Sequence, residues 1–596
     1  MPRLTIPPGI VVLDITASRF QVAGWNLPPP FKKNNVMHSM RFPVLLLTLS
    51  FLAFLRQGVD ANLRLPNIFG EGMVLQRDKP VAVWGWATPG AKVDVKFAGQ
   101  SKTTTSDKDG SWDLKLDPMP GAAKPLSLKV TCGQEALNIG NILVGEVWIC
   151  GGQSNMEWTL RGSTDADLEL AAANFPAIRF IRLPKIARVS PQDDFPVENP
   201  ANPTGNWRQA VSGQVENFTA VGYYFARRLH RQLRVPVGII DNSWGGTRAQ
   251  NWCGKETLAN IPEMTPDLEK FAAAHKAWID GGGEDGAAKR LAKVMIGWEE
   301  QRKLAKAKGE REPRRPNANS YRDPANSGQP GGMFNGSLMP VAKTTLRGAL
   351  FYQGENNSFT TSWKPFYRTF PSVITDWRAA FNEPSLPFGI IQIAGWSTRR
   401  SMEYDMNHHC NIVREIQLDT WRDIKNTGLI VTYDTNSNGS IHPGRKLPVG
   451  ERAARWALAE VYGIKQAGLN RPLEWRGPLF EAATFDAGKA FVTFKESTDR
   501  GLRLDQDVDV GFVLAGKDRV FHHARARISQ RKTDKRQQVE IWCDEVSEPV
   551  AVRYAFSNLP MGGLMNAREL PAYPFRSDNW PMTPHQSTGS YQRRAK

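Results

Sequence analysis

Hydrophobic and polar residues alternate in short runs through the part of the chain that follows residue 61. Turn dipeptides such as Asp109-Gly110 and Pro120-Gly121 separate the runs. Because successive side chains of a strand point to opposite faces, this pattern predicts short strands, each with one buried face. The runs cover residues 81–86, 92–97, 111–116 and 126–131. We therefore predict a small β-sandwich-type domain over residues 62–138.

The pattern changes between residues 139 and 465, where short apolar runs alternate with longer amphipathic segments. In one segment, apolar residues recur at three- and four-residue steps, which predicts a helix with one buried face. They are Val221, Tyr224, Phe225, Leu229 and Leu233. Strands alternating with helices predict an α/β fold class with a parallel sheet. The predicted strands of this sheet are 147–150, 237–240, 348–352, 389–393 and 428–432.

Two further regions complete the predicted organisation. Residues of about 261–330 combine helix formers and many charges with a Pro- and Asn-rich loop, and they predict a helical insertion above the sheet. Short strand patterns return over residues 470–580, at 490–494, 508–514, 539–542 and 550–554. They predict a second small β-sandwich-type domain, so that two such domains flank the parallel sheet.

The first 61 residues have the features of a leader with a secretory signal peptide. Arg41 precedes an apolar run over 44–55, and small residues at Val59 and Ala61 suit a cleavage site. A run of about a dozen residues is too short to span a bilayer, so we expect no stable membrane insertion of the mature chain. The signal predicts export to the periplasm or to the outside of the cell.

Charge and cysteine content exclude two classes of partner. The 596 residues carry a formal net charge of +17, but the Lys and Arg residues do not gather on one element, so we expect no nucleic-acid partner. The five cysteines show no CxxC spacing. A metal could be suggested only by the His408-His409-Cys410 cluster, which has no further ligands at regular spacing. We therefore predict neither a metal nor a cofactor.

A serine motif follows the first predicted strand of the parallel sheet. In residues 151–156, two glycines allow a tight turn and Ser154 begins a helix. Ligands of open α/β sheets bind at the carboxyl ends of strands, where helix N-termini also present N–H groups. For this motif alone, a helix-capping serine is the commoner explanation.

Three more polar motifs follow other predicted strands. A glycine-containing loop covers residues 241–248, amide side chains concentrate at 353–357, and His442 lies in the segment 439–443. Unrelated structural residues have no reason to place a serine, accessible glycines, amide donors and a histidine each at a strand end. The set meets the requirements of a nucleophile, a general base and oxyanion donors.

These motifs resemble those of the sialate O-acetylesterases, a branch of the SGNH hydrolases. The resemblance lies in residues 148–158 (WICGGQSNMEW), 242–247 (NSWGGT), 352–356 (YQGEN) and 440–443 (SIHP). It implies a flavodoxin-like SGNH-hydrolase sheet, no metal, and release of acetate from an O-acetylated glycan. It also implies roles for four residues. Ser154 would be the nucleophile and His442 the base, with Ser154, Gly246 and Gln353 forming the oxyanion hole.

The acid that orients His442 is less clear from the sequence. Many SGNH enzymes carry Asp two or three residues before the histidine, where this chain has Ser440 and Gly439. Asp434, at the end of its strand, is the predicted orienting acid, with Glu355 and a backbone carbonyl as alternatives. The residues predicted to face the sugar are Trp158, Trp244, Arg248, Glu355 and Asn356.

Two alternative functions stay open at this point. The substrate could be acetylated xylan or another polysaccharide instead of a sialate. A protein of another class, which binds carbohydrate without catalysis, is also conceivable, but the intact Ser154, Gln353 and His442 argue for an enzyme. The sequence leaves the oligomeric state open.

Overall fold

The structure of the chain is a computed structural model that describes residues 63–197, 204–326, 328–397, 409–437, 439–505 and 511–582. The predicted leader and signal peptide lie outside the described residues. The fold is mixed α/β, with one large central sheet and additional sheets.

The N-terminal part forms strands that continue into the central sheet. β2, β3 and β5 span the predicted runs, and their turns use glycines such as Gly110, whose φ is +84°. The strands are β1 (Val74–Gln76), β2 (Val81–Trp86), β3 (Lys92–Phe97), β4 (Gln100–Thr105), β5 (Ser111–Leu116), β6 (Ala122–Cys132) and β7 (Glu135–Gly152). The first half of β7 pairs antiparallel with β6 and its second half enters the parallel sheet, so the predicted boundary at residue 138 falls inside one strand.

The central sheet contains six more strands after β7. They are β8 (Asn174–Arg182), β9 (Trp207–Val211), β10 (Val237–Ser243), β11 (Gly348–Tyr352), β12 (Phe388–Ile391) and β13 (Thr427–Ile430). Their spatial order is β13-β12-β11-β7-β10-β8-β9, and only the β8–β9 pair is antiparallel. The second half of β7 therefore lies at the centre, with β10 and β11 on either side.

Nine α-helices accompany this sheet in the described part of the chain. They are α1 (Ser154–Glu157), α2 (Ala166–Ala172), α3 (Ala220–Leu233), α4 (Lys255–Ala259), α5 (Thr265–Asp280), α6 (Gly283–Lys308), α7 (Phe366–Ala380), α8 (Cys410–Asp423) and α9 (Leu447–Trp456). The helices α5 and α6 form most of the predicted insertion. None of the helices that the structure describes is both long and apolar enough to cross a membrane.

The C-terminal part forms two four-stranded antiparallel sheets and a two-stranded one. Its strands are β14 (Phe480–Asp486), β15 (Lys489–Phe494), β16 (Arg503–Leu504), β17 (Phe512–Ala515), β18 (Phe521–His523), β19 (Arg525–Gln530), β20 (Gln537–Trp542), β21 (Ala551–Tyr554), β22 (Leu564–Met565) and β23 (Phe575–Arg576). Aromatic rings pack between them: the centroids of Phe480 and Phe575 lie 4.3 Å apart. A buried pair of Arg576 on β23 with Glu415 on α8 attaches this part to the central fold.

Candidate active site

Three loops meet at the carboxyl ends of β7, β10 and β11. Ser154 is the first residue of α1, directly after β7. Gly152 is required at the end of that strand because its φ is +124° and a Cβ there would lie 2.2 Å from the carbonyl oxygen of Tyr352. The close approach of β7 to β11 thus determines the position at which α1, and with it Ser154, begins.

The structure places Ser154 and His442 side by side. The Nε2 atom of His442 lies 2.7 Å from Oγ of Ser154. The backbone N–H of His442 donates to Oγ of Ser440, and the imidazole stacks on the ring of Trp158 with centroids 5.5 Å apart and an angle of 22°. Partial burial, assisted by the nearby positive charge of Lys446, lowers the pKa of His442. The neutral imidazole is therefore favoured at pH 7 and can accept the serine proton.

Backbone amides next to Ser154 form the second part of the site. The N–H of Gly245 donates to Oε2 of Glu157 at 2.6 Å, and Glu157 is held in turn by Arg182 and Lys185. Gly246 follows with a φ of +79° and an exposed backbone. Among the residues that the structure describes, the N–H groups of Ser154 and Gly246 have no acceptor. They remain available to a ligand oxygen, as an oxyanion hole requires.

Gln353 does not fit its predicted role as a third oxyanion donor. Its side chain is fully buried, and Nε2 donates to Oε1 of Gln153 at 2.8 Å and to the carbonyl oxygen of Thr247 at 2.9 Å. Both amide hydrogens are therefore used inside the protein. Gln353 instead ties together the loops that follow β7, β10 and β11.

The amide that does lie beside Gly246 belongs to Asn356, which was predicted from the sequence to face the sugar. Its Nδ2 atom donates to the carbonyl oxygen of Gly246 at 2.6 Å, and the side chain is partly exposed. One hydrogen of the amide remains for a ligand. Its backbone N–H donates to Oε1 of Gln153, the same atom that accepts from Gln353.

Asp434 is not placed to orient His442, contrary to the prediction. Its two carboxylate oxygens accept from the guanidinium of Arg452 at 2.7 and 2.6 Å. Such a two-pronged pair occupies the carboxylate and holds it at the start of the loop that leads to α9. Ser154 and His442 thus stand without the predicted acid.

Glu355 is also not a sugar contact, because it is buried behind the Ser154–His442 pair. Its Oε1 atom accepts from Nδ2 of Asn155, which donates as well to the carbonyl oxygen of Ile441. Nζ of Lys446 donates to Oδ1 of the same Asn155. Burial raises the pKa of the Glu355 carboxyl and lowers that of the Lys446 ammonium. This buried Glu355-Asn155-Lys446 network holds the segment that carries His442.

The other predicted sugar contacts lie around the site. Trp158 is occupied by the His442 ring, and its Nε1 donates to the carbonyl oxygen of Gly162 at 2.7 Å. Trp244 lines a cleft of about 440 Å³ together with Gly246 and part of the insertion. Arg248 begins the 3₁₀ helix Ala249–Trp252, and its side chain is partly exposed.

Sequence reasoning missed Asn155 and Lys446 as parts of the site. The signal for both lies in their position, because Asn155 directly follows Ser154 and Lys446 comes four residues after His442. No group of three or more His, Cys, Asp or Glu side chains suited to a metal occurs in the described ranges, and His408 lies outside them.

Comparisons with known proteins point to a group of esterases. The family model described as "carbohydrate esterase, sialic acid-specific acetylesterase" matches residues 335–456. The sialate O-acetylesterases of Mus musculus and Homo sapiens are each 27% identical, over 73% and 75% of this chain and 79% of their own lengths. The crystal structure of a carbohydrate acetylesterase from Xanthomonas citri superimposes with a TM-score of 0.68 and 29% identity, covering 87% of this chain and all of that one.

Proposed function

Since this chain is a carboxylic ester hydrolase related to the sialate O-acetylesterases, we propose that it releases acetate from O-acetylated carbohydrates by a serine–histidine mechanism. The observation that carries the proposal is the 2.7 Å contact between Ser154 Oγ and His442 Nε2 at the meeting point of three strand ends. A nucleophile paired with a neutral base, beside unused N–H donors, suits acyl transfer.

The proposed reaction has two steps. His442 Nε2 takes the proton of Ser154 Oγ as the oxygen attacks the acetyl carbonyl, and the resulting oxyanion accepts from the N–H groups of Ser154 and Gly246 and from the amide of Asn356. The C–O bond to the sugar then breaks, and His442 returns the proton to the sugar oxygen. Water, activated by His442, attacks the acetyl-serine in the same way and releases acetate.

The sheet topology supports a flavodoxin-like SGNH fold for the catalytic part. When β7, β10, β11, β12 and β13 are numbered one to five, their spatial order is 2-1-3-4-5, the order of flavodoxin-like sheets. β8 and β9 extend the edge beyond β10. In such sheets ligands bind where the chain direction across the sheet reverses, which is beside β7 and therefore at Ser154.

Substrate and location are part of the proposal. We propose a sialate-type acetyl ester as the substrate, by analogy with the named function of the mammalian relatives, with acetylated polysaccharide as the second candidate. Acetate release from a panel of acetylated sialates and polysaccharides separates the two candidate substrates.

We also propose that the chain is exported through the signal peptide within residues 1–61. Cell fractionation tests this.

The mechanism is tested by Ser154→Ala with 4-nitrophenyl acetate. Loss of the nucleophile should lower kcat/KM on the order of 10⁶-fold, while the thermal melt stays close to wild type because the hydroxyl contributes little packing. A carbohydrate-binding protein without catalysis would show no acetate release in the wild type either. A Ser154→Ala variant with wild-type rates would end the proposal.

A further inference from the structure

A second and larger cleft lies next to the proposed active site and has no role in the mechanism. It has a volume of about 810 Å³ and lies between the segment that follows β8 and the helical insertion. Trp278 and Leu291 line it from the insertion helices, Arg182 from the end of β8, and Lys185 from the segment that follows β8. Neither Ser154 nor His442 lines it.

This larger cleft adjoins the cleft beside the proposed catalytic serine, and the two share part of their walls. Arg322, Asp323 and Asn326 line both clefts. The smaller one, of about 440 Å³, reaches Trp244 and Gly246, next to the proposed oxyanion hole. One extended ligand could therefore lie along both clefts and still place an acetyl group at Gly246.

The walls of the clefts are fixed to the central fold by hydrogen bonds. Nη1 of Arg188 donates to Oδ1 of Asn326 at 2.7 Å. Nδ2 of Asn251, in the loop after β10, donates to the carbonyl oxygen of Gly328 at 2.8 Å. Nδ2 of Asn335 donates to the carbonyl oxygen of Val189 at 2.9 Å. The cleft is thus built before a ligand arrives, as binding sites usually are.

The lining combines aromatic rings with hydrogen-bond donors. Trp278 and Tyr321 are partly exposed, and the small apolar side chains of Ala287 and Ala288 also line the cleft. Arg322 is exposed and forms no ion pair with any residue in the described ranges, whereas Arg182 is paired with Glu157. Flat aromatic faces accept the C–H faces of sugar rings, and a free guanidinium donates to sugar oxygens.

We propose that the two adjoining clefts together bind an oligosaccharide chain, so that the enzyme acts on an acetyl group carried by a multi-sugar glycan and not by a single sugar. This rests on the proposed acetylesterase function. A volume of about 810 Å³ is near the top of the roughly 300–1,000 Å³ range of sites for drug-sized ligands, which exceed one sugar ring. The insertion therefore supplies the specificity for chain length.

The experiment compares kcat/KM along two substrate series. One runs from acetylated xylose to acetylated xylohexaose, and the other from O-acetylated sialic acid to its O-acetylated oligomers. In at least one series kcat/KM should rise on the order of tenfold from the monosaccharide to the longer chains, since each tenfold step corresponds to about 1.4 kcal/mol of added binding. Trp278→Ala and Arg322→Gln should each remove most of that gain.

A matched variant and a small substrate make the result decisive. Trp298 lies on the same insertion helix as the cleft wall but donates to the carbonyl oxygen of Pro313 and does not line the cleft, so Trp298→Ala should keep the full gain. Thermal melts show that each variant is folded. Equal kcat/KM along both series, or a full gain in both cleft variants, would overturn the inference. Ser154-dependent hydrolysis of 4-nitrophenyl acetate in the same preparation would show that the esterase function stands even then.

Discussion

The His442 ring is held by its surroundings and not by a carboxylate. In the described part of the chain no acid contacts the second ring nitrogen. The ring instead stacks on Trp158, and the carbonyl oxygen of the preceding Ile441 accepts from Asn155. Lys446 donates to Asn155 and lies with Nζ 5.8 Å from the Trp158 centroid, so one buried group contacts both residues that position His442.

Removing the Lys446 charge should change the pH dependence of the reaction. Burial is the main cause of the lowered pKa of His442, and repulsion by Lys446 is the second. Without that charge the imidazolium is less disfavoured, so the pKa of His442 rises. Lys446→Met should therefore move the acidic limb of kcat/KM to higher pH and lower kcat, measured with 4-nitrophenyl acetate.

Controls separate this effect from damage to the fold. Glu355 and Lys446 are buried and linked through Asn155, so removing the Lys446 charge leaves Glu355 without its counter-charge and should lower the free energy of unfolding by up to about 3–5 kcal/mol. The double variant Lys446→Met/Glu355→Gln removes both charges and should recover stability while keeping the displaced acidic limb. The exposed Lys425→Met serves as the matched control. An unchanged acidic limb in both Lys446 variants would contradict the assignment.

Asn356 and Gln353 should respond differently to truncation. Asn356→Ala removes a proposed oxyanion donor, so kcat should fall by roughly 10²–10³-fold with little change in KM. Gln353→Ala removes two buried hydrogen bonds, so it should mainly lower the thermal melt. Steady-state kinetics and melting curves of both variants give the comparison. If only Gln353→Ala lowered kcat strongly, the sequence-based assignment would be right after all.

At the scale of elements, Asp434 and Arg452 join the end of β13 to helix α9. Asp434 lies in the turn after β13, and Arg452 on α9 also donates to the carbonyl oxygen of Val431 at 2.9 Å. The pair thus closes the loop in which His442 lies. The position of the base His442 therefore depends on how β13 and α9 are held together.

Asp434→Asn should consequently affect stability more than chemistry. A neutral amide cannot accept both guanidinium donors as strongly, and the expected loss is about 1–3 kcal/mol in the free energy of unfolding. The kcat for 4-nitrophenyl acetate should stay close to wild type. Urea unfolding and steady-state kinetics test this, and a fall of kcat by orders of magnitude would return Asp434 to the role of orienting acid.

A strand could be predicted from the sequence where its own residues carry an apolar pattern, and not where its pairing depends on distant residues. The runs at β2, β3, β5 and β11 carry their own apolar signal, and these strands occupy the predicted ranges. β4 (QSKTTT) is polar throughout. The antiparallel β8–β9 pair shifts register between Phe175 and Arg179, where Pro176 lies, and a long connection separates the two strands in sequence. Their pairing is determined by neighbours that are distant in sequence.

The candidate site likewise contains residues that could be predicted from the sequence and residues that could not. The motifs at strand ends were enough to predict that Ser154, Gly246 and His442 lie close together, because parallel strands end at a common edge. The roles of Gln353, Asn356 and Glu355 depend on burial and on the partner that each side chain selects. Tertiary packing determines both, and the sequence of the motif does not show them. Within residues 353–357, Gln353 is buried and bonded to other loops, whereas the partly exposed Asn356 keeps a donor for a ligand.

At the scale of the whole molecule, the C-terminal sheets are connected to the site through α8. Arg576 on β23 donates to both carboxylate oxygens of Glu415 at 2.9 and 3.1 Å, with both side chains almost fully buried. Another residue of α8, Gln417, donates to the carbonyl oxygen of Gln353 at 2.9 Å. The helix therefore contacts the C-terminal part on one side and the loop after β11 on the other.

Arg576→Met should weaken this attachment without changing the chemistry of the folded enzyme. The substitution removes the guanidinium that donates to both carboxylate oxygens of the buried Glu415, and a loss of about 3–5 kcal/mol is expected for a broken buried pair. The exposed pair of Arg525 and Asp544 provides the control, because Arg525→Met should shift the urea midpoint only slightly. The kcat of Arg576→Met at 25 °C should stay near the wild-type value, since Gln417 still holds the loop after β11. A midpoint shift no larger than that of the control would show that other contacts, such as Tyr573 Oη with the carbonyl oxygen of Leu429, carry the attachment.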